Sequence, residues 1–340
     1  MRTRRTTLGQ IADAAGVSVA TVSKVLNNRE DVSVETRRRV EKHLRAAAYR
    51  RVGAKSARQH RPSRQIEVVL YGPLRAYGMT VLDGITSSAQ VEGFEIVISR
   101  GREGESMGVD APALLASDRA GAIFLTMDAS SRDFQRLSDA GFPVVVIDPL
   151  HAGGTKCISI GATNFTGAVA ATEHLLSLGH RRIGHAGGPA SIECSQARLA
   201  GHASALRRAS IPLEESLVTH VSFDYEAGMK AGRDLLERSD PPTAVFAASD
   251  EIALGVMEEA RRRGIRVPQD LSIVGFDDTF LATRATPPLT TVAQPLVEMG
   301  QLAVRSLAQV ITSDRVGTSH IELATRLVVR GSTSRPGSRR

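Results

Sequence analysis

The chain has 340 residues, more than one typical core accommodates, so two or three folding units are expected. It carries 43 Lys and Arg against 36 Asp and Glu, and its two cysteines, Cys157 and Cys194, have no metal-ligand spacing around them, which makes them free structural thiols. No apolar run approaches the roughly 18 residues of a membrane span, and the N-terminus lacks the apolar core of a signal peptide; the expectation is a cytoplasmic protein with no membrane role.

The first elements lie in residues 7–28, TLGQIADAAGVSVATVSKVLNN. Leu8, Ile11, Ala12 and Ala15 recur at spacings of three and four and predict a short amphipathic helix, which Gly16 stops by taking a positive φ at no steric cost. Ser18 is positioned to cap a second helix, with Val22, Val25 and Leu26 on its inner side. Val19, Ala20, Ser23, Lys24 and Asn27 are left facing outward. A third pattern, Ser33 to Tyr49, supplies Val34, Val40, Leu44 and Ala47 to close a three-helix core. This is the form of a helix-turn-helix, whose second helix enters a major groove. An ordinary helical hairpin with a solvated face has the same spacing, and charge separates the two: residues 1–65 hold 16 Lys and Arg against 5 Asp and Glu, whereas the rest of the chain holds 27 against 31. The excess positive charge sits with the motif, as phosphate neutralisation requires.

Residues 50–64, RRVGAKSARQHRPSR, bring six cations and no acid and read as a basic linker. The pattern then changes. IEVVLYG from 66, FEIVISR from 94, AGAIFLT from 120, FPVVVID from 142 and CISIG from 157 are short β-rich runs separated by stretches of helical period. RIGHAGG from 182, LVTHVSF from 217, AVFAAS from 244 and LSIVGFD from 271 continue the alternation. Continuous apolar strands alternating with helices predict parallel sheets covered on both faces, and the length suggests two such lobes. In open α/β sheets ligands bind beyond the carboxyl ends of strands, which singles out Asp148, Phe223, Ser249 and Asp277.

Six blocks in order, TLGQIADAAGVSVATVSKVLNN, ATEHLLSLGHRRIGHAGGP, SDEIALGVM, SIVGFDD, PPLTTVAQP and LVVRGST, resemble the lactose-repressor (LacI/GalR) family of bacterial transcription regulators from Thr7 to about Thr333. The resemblance implies an α plus α/β protein: a three-helix headpiece at 1–49, a hinge at 50–65, a two-lobed body at 66–333 like a periplasmic binding protein, and a polar tail at 334–340. The N-terminal lobe would combine 66–161 with 293–321, and the C-terminal lobe 162–292 with 322–333. It further implies a homodimer on near-palindromic double-stranded operator DNA, without cofactor or metal, acting as a repressor of carbohydrate-utilisation genes that a mono- or oligosaccharide releases. The tail has no leucine heptads to join two dimers.

Position by position, Val19, Ala20 and Lys24 match the family's base-reading residues, and Thr21, Ser23, Asn27 and Tyr49 its backbone-contacting ones, with Ser18 opening the same helix. The hinge departs from the pattern. Where a proline and a minor-groove leucine are common, this chain has Arg51 and Arg58, which implies arginine laid along a narrowed minor groove. In the body, Arg198 and Asp277 match the paired effector-binding charges, and an arginine fork with a carboxylate acceptor can hold vicinal hydroxyls. Tyr77 and Phe223 match aromatic positions against the effector, with Asp148, Ser249 and Gln294 as further candidates. Ile192 and Cys194 stand where a purine-responsive relative has polar readers, which argues against a purine.

Competing classes are a secreted solute-binding protein, an enzyme, a co-repressor-dependent regulator with a non-sugar effector, and an architectural DNA binder with a vestigial cleft. The basic headpiece argues against the first. For the second, GHAGGP from 184 lacks the spacing of a dinucleotide or phosphate loop, and Glu173/His174 lacks the second histidine of a zinc-protease motif.

Overall fold

The computed structural model describes residues 8–26, 32–46, 63–101, 110–126, 132–151, 157–312 and 319–337. Asn27, Tyr49, Arg51 and Arg58, assigned above to DNA contact or to the hinge, lie outside the described residues. The chain divides into two units, Met1–Arg61 and Pro62–Arg340.

In the first unit α1 (Leu8–Ala15), α2 (Val19–Leu26) and α3 (Val34–Ala46) close around Ile11, Ala12, Ala15, Val22, Val25 and Val40, all buried. Gly16 makes the turn at φ +63°, a conformation that would strain any residue with a Cβ. The Val17 amide then bonds back to the Ala12 carbonyl at 3.0 Å, closing the end of α1. Ser18 Oγ accepts from the Thr21 amide at 3.1 Å and Ser33 Oγ from the Thr36 amide at 3.3 Å, so hydroxyls cap both following helices.

The second unit begins with β1 (Gln65–Leu70), α4 (Ala76–Glu92), β2 (Glu95–Arg100), α5 (Ala111–Ala116), β3 (Gly121–Leu125), α6 (Arg132–Asp139), β4 (Val144–Ile147) and β5 (Ile158–Ala162). It continues through α7 (Asn164–Ser177), β6 (Ile183–Gly187), α8 (Glu193–Arg208), β7 (Val218–His220), α9 (Tyr225–Leu236), β8 (Ala244–Ala247), α10 (Asp250–Arg262), β9 (Ser272–Asp277), α11 (Phe280–Arg284) and β10 (Thr290–Ala293). Helix α12 (Leu296–Thr312) and strands β11 (Ser319–Leu323) and β12 (Arg326–Val328) follow.

Two six-stranded sheets result, ordered β11-β5-β4-β3-β1-β2 and β12-β10-β9-β8-β6-β7. Every pair is parallel except β10 with β12. The chain passes between the sheets after β5, β10 and β11, which makes each sheet the floor of one lobe. Strands β10, β11 and β12 are not among the runs read from the sequence. They are short and half polar, and β11 and β12 lie at sheet edges, where an apolar run on both faces is not required. Ser334 also belongs to the packed C-terminal lobe, its amide donating to Ser272 Oγ at 3.0 Å and its carbonyl accepting from His180 Nε2 at 2.9 Å.

The sheets bury both faces by strand alternation. Ile123 and Leu125 of β3 face α4 and α12, while Ala122 and Phe124 face α5 and α6. In the other lobe Val245 and Ala247 face α9 and α10, and Ala244 and Phe246 face α7 and α8. Each fully buried phenylalanine, Phe124, Phe246 and Phe276, contributes about 1.5–3 kcal/mol of apolar transfer.

One stacked pair of buried rings is polar. His185 and His202 stack with ring centroids 5.3 Å apart and lean on Phe246. His202 Nδ1 bonds with Thr172 Oγ1 at 2.9 Å, but His202 Nε2 lacks a hydrogen-bond partner among the described residues, and His185 is met weakly, by the Phe246 backbone. Burial pushes His202 down to about 4 and His185 well below the usual imidazole range. Unfolded, both titrate near ~6.5. The unfolded chain therefore binds more protons below that pH, and stability falls as pH drops from about 6.5 toward the folded values. His185→Leu removes a buried imidazole that is at best weakly satisfied and is expected to raise stability by about 1 kcal/mol at neutral pH, and by more at pH ~5. Thermal melts at the two pH values check this; a melting temperature lowered at both would contradict it.

Candidate functional site

In the first unit the outward face of α2 is small at its N-terminal end. Val19 is 49% exposed, Ala20 and Lys24 are exposed, and Ser23 is half-buried. Ser18 and Thr21 are engaged in the cap, their hydroxyls 2.9 Å apart. A helix that begins with methyl-bearing side chains and carries an ammonium one turn on can approach base edges closely while reaching phosphates.

In the second unit a cavity of about 540 Å³ lies between the lobes, at the carboxyl ends of the strands of both sheets. Its N-terminal-lobe wall comprises Leu70 to Arg75, Tyr77 and Gly78, with Leu125 and Thr126 after β3 and Asp148 and Leu150 after β4. The C-terminal lobe adds Pro189, Ile192, Cys194 and Arg198, then Ser222 to Asp224, Ser249 to Glu251, Asp277 and Thr279. In both sheets the strand order reverses at the first strand of the lobe, β1 or β6, and such a switch point opens a crevice for a ligand.

Arg198 is held on three sides. Its Nε donates to Asn164 Oδ1 at 2.8 Å, its Nη1 to the Ala248 carbonyl, and its guanidinium lies 3.8 Å from the Phe276 ring centroid. The Phe223 ring is 5.9 Å away on the cleft side. Asp277 Oδ1 is 3.8 Å from Arg198 Nη1, close enough for attraction but too long for a hydrogen bond, so both groups keep polar capacity for a third partner. Gln294 Nε2 donates to Asp277 Oδ1 at 2.7 Å. On the facing lobe Tyr77 Oη donates to Asp148 Oδ2 at 2.5 Å.

Burial dominates the electrostatics. It raises Asp277 well above the carboxylate range despite Arg198, and raises Asp148 despite the Tyr77 bond and Arg198. Asp250 is pushed up to about 6 by burial, although Thr279 and Thr291 donate to it. Burial and Asp148 hold the Tyr77 phenol far above its ordinary range, and burial pushes the Cys194 thiol up to about 11, leaving it protonated and a poor nucleophile. Thr126, Asp148 and Asp277 have φ of 54°, 45° and 116°, a left-handed backbone that costs about 1–3 kcal/mol each and gathers at binding sites. Asp278, at φ 58°, is instead tied to Arg330 at 2.5 Å on the far side of the turn.

Tyr77, Asp148, Arg198, Phe223, Ser249 and Asp277 thus share one cavity. Ser249 does so with its hydroxyl capping α10, accepting from the Ile252 amide at 3.1 Å. Gln294 lies outside the cavity wall and acts as a brace behind Asp277. Tyr71, Arg75, Thr126, Asp224, Asp250 and Glu251 also line the cleft and were not singled out from the sequence. The strand-end rule that located Asp148 applies equally to Thr126 and Tyr71; the acids open helices that follow strands, a position the rule reaches only loosely.

Two lobes around a cleft at strand ends, in a chain whose N-terminal unit is a helix-turn-helix, define a ligand-binding regulator. Residues 7–51 match the pattern described as bacterial regulatory proteins, lacI family, and residues 172–333 the periplasmic binding protein-like domain. The HTH-type transcriptional repressor CytR of Escherichia coli K12 is 33% identical over 330 residues, covering 96% of each chain. The HTH-type transcriptional regulator CelR of Thermobifida fusca is 33% identical, covering 97% of this chain and 99% of the relative. Among solved structures, a CelR–cellobiose complex superposes with TM-score 0.72 at 32% identity, covering 96% of this chain and all of that one. A lac repressor dimer bound to operator and the anti-inducer ONPF gives TM-score 0.72 at 30% identity over 97% of this chain. The chain belongs to the lacI family of bacterial transcription regulators. It is a DNA-binding regulator and not an enzyme, and the resemblance carried by the six sequence blocks extends over 96–97% of the chain.

Proposed function

We propose that the chain is a cytoplasmic, homodimeric repressor of carbohydrate-utilisation genes that an uncharged sugar releases from a near-palindromic operator. The observation that carries this reading is the Arg198/Asp277 pair, held 3.8 Å apart and facing the Tyr77–Asp148 pair across one cleft. Arginine and carboxylate present donors and acceptors to vicinal hydroxyls, while Phe223 and Tyr77 offer ring surface to the C–H face of a pyranose. Charge favours a neutral ligand. Asp148, Asp224, Asp250, Glu251 and Asp277 line the cleft against Arg75 and Arg198, both already engaged, and no lysine or histidine joins them among the described residues. A phosphorylated or carboxylated sugar would bring a negative charge into a buried cleft whose two lining arginines already have partners. Relatives support the class: one solved neighbour holds cellobiose and another, from Enterococcus faecium, holds ribose.

Binding across the cleft favours one relative lobe orientation over another, and only that difference in affinity can change DNA binding. In the dimer, the headpiece (1–49) and hinge (50–65) transmit it as a change in half-site spacing.

The deciding experiment is a gel shift of the full chain with its own upstream DNA, with and without neutral mono- and oligosaccharides. Release by a sugar is expected. Tighter binding with a ligand would replace induction by co-repression, and absence of any bound palindrome would overturn the regulator reading. In the same assay Lys24→Ala is expected to weaken operator binding and to relax the preference at the base pair it reads, as loss of one base-edge contact does. Val19 and Ala20 substitutions are expected to change the preferred half-site more than the total affinity.

A further inference from the structure

Glu251 lies in the first turn of α10 in the C-terminal lobe, yet its carboxylate bonds to the other lobe. Oε2 accepts from Arg75 Nη1 at 3.1 Å, and Oε1 accepts from the Ala76 amide at 3.3 Å. Ala76 is the first residue of α4, whose N-cap position is Arg75 and which has no side-chain cap of its own. Two helix N-termini therefore meet at one carboxylate. Each end carries partial positive charge, met in part at α10 by the Ser249 cap and by no side chain of its own lobe at α4, so bringing them together is unfavourable without an anion between them.

We propose that Glu251, with Arg75, is an inter-lobe latch: a positioning pair at the cleft rim that caps α4 only when the lobes are closed. The contact uses protein groups alone, so it biases closure independently of the sugar reading and goes beyond it. The pair is partly shielded, the side chains being 15% and 38% exposed, which keeps the attraction above that of a fully solvated bridge. Closure makes a second cross-lobe bond away from the latch, from the Glu193 amide at the start of α8 to the Leu150 carbonyl after β4, at 3.1 Å. That bond shares no residue with the latch and therefore reports on closure itself.

Amide hydrogen exchange on the full-length chain without added ligand tests the proposal. In Glu251→Ala, exchange at Ala76 and at Glu193 is expected to rise together by about fivefold. Arg75→Ala is expected to raise both by less, because Oε1 keeps the α4 amide. Asp110→Ala, which removes the cap on the Ala113 amide within one lobe, controls for general loosening and is expected to leave Glu193 unchanged. Acceleration at Ala76 with Glu193 unchanged would reduce Glu251 to a local cap and overturn the latch. Equal acceleration of Glu193 in the Asp110 variant would overturn it as well.

Discussion

Asp277→Asn is expected to leave the body folded while cutting sugar affinity by roughly tenfold or more, the ~1–3 kcal/mol lost when a buried polar partner is left mismatched. Asparagine suits the position. It tolerates the positive φ of 116° better than most side chains, its Oδ1 can still accept from Gln294, and burial already favours a neutral group there. What is lost is the second carboxyl oxygen beside Arg198, which asparagine replaces with an NH2 donor facing the guanidinium. Arg198→Ala differs in kind. It removes the bonds to Asn164 and Ala248 and leaves Asp277 and Asp148 buried without the guanidinium that both feel. A cost of about 3–5 kcal/mol in stability is expected together with loss of sugar response. Calorimetric titration and thermal melting separate the two, and in a gel shift Asp277→Asn should stay on its operator at sugar concentrations that release the parent. An Asp277→Asn chain with unchanged sugar affinity would reduce the pair to a structural contact.

Gly84→Ala is expected to be the most damaging single-carbon change in the body. A Cβ at Gly84 would stand 2.0 Å from the Val297 carbonyl oxygen, and one at Gly300 2.3 Å from the Val81 carbonyl oxygen. Helices α4 and α12 cross backbone on backbone there, so no side chain can yield and an axis must shift. The C-terminal lobe repeats the device: a Cβ at Gly255 would meet the Tyr225 carbonyl oxygen at 2.2 Å, and one at Gly228 the Ile252 carbonyl oxygen at 2.4 Å. Overpacking of this kind costs about 3 kcal/mol, a fall of roughly 6–12 °C in melting temperature. Gly141→Ala is the contrast. It sits at φ +64° with open space around it, and only the modest strain of a left-handed alanine, ~1 kcal/mol, is expected.

The two lobes were legible because a parallel strand covered on both faces must be apolar at consecutive positions, as VVVI at 144–147 and AVFA at 244–247 are. The headpiece was legible for a similar reason: Ile11, Ala12 and Ala15, then Val22 and Val25, carry a helical period around an obligatory glycine. Strands β10 to β12 were not, since TTVA and RLV are too short for a period to register. The site divided along the same line. Asp148, Phe223, Ser249 and Asp277 follow apolar strands directly and could be picked from text. Arg75 and Glu251 could not: they lie 176 positions apart and meet through lobe closure.

Local sequence thus determined the headpiece helices, the apolar strands β1 to β9 and their alternation with helices, the location of the positive charge and the family resemblance, because each is carried by short windows or by composition. Only the tertiary structure decided which strand ends share a cleft, that Gln294 braces Asp277 instead of lining the cavity, that glycines seat α4 on α12 and α9 on α10, and that one lobe caps a helix of the other. Those contacts depend on sheet order and on how two lobes close, and neither leaves a periodic signal in the residues that make them.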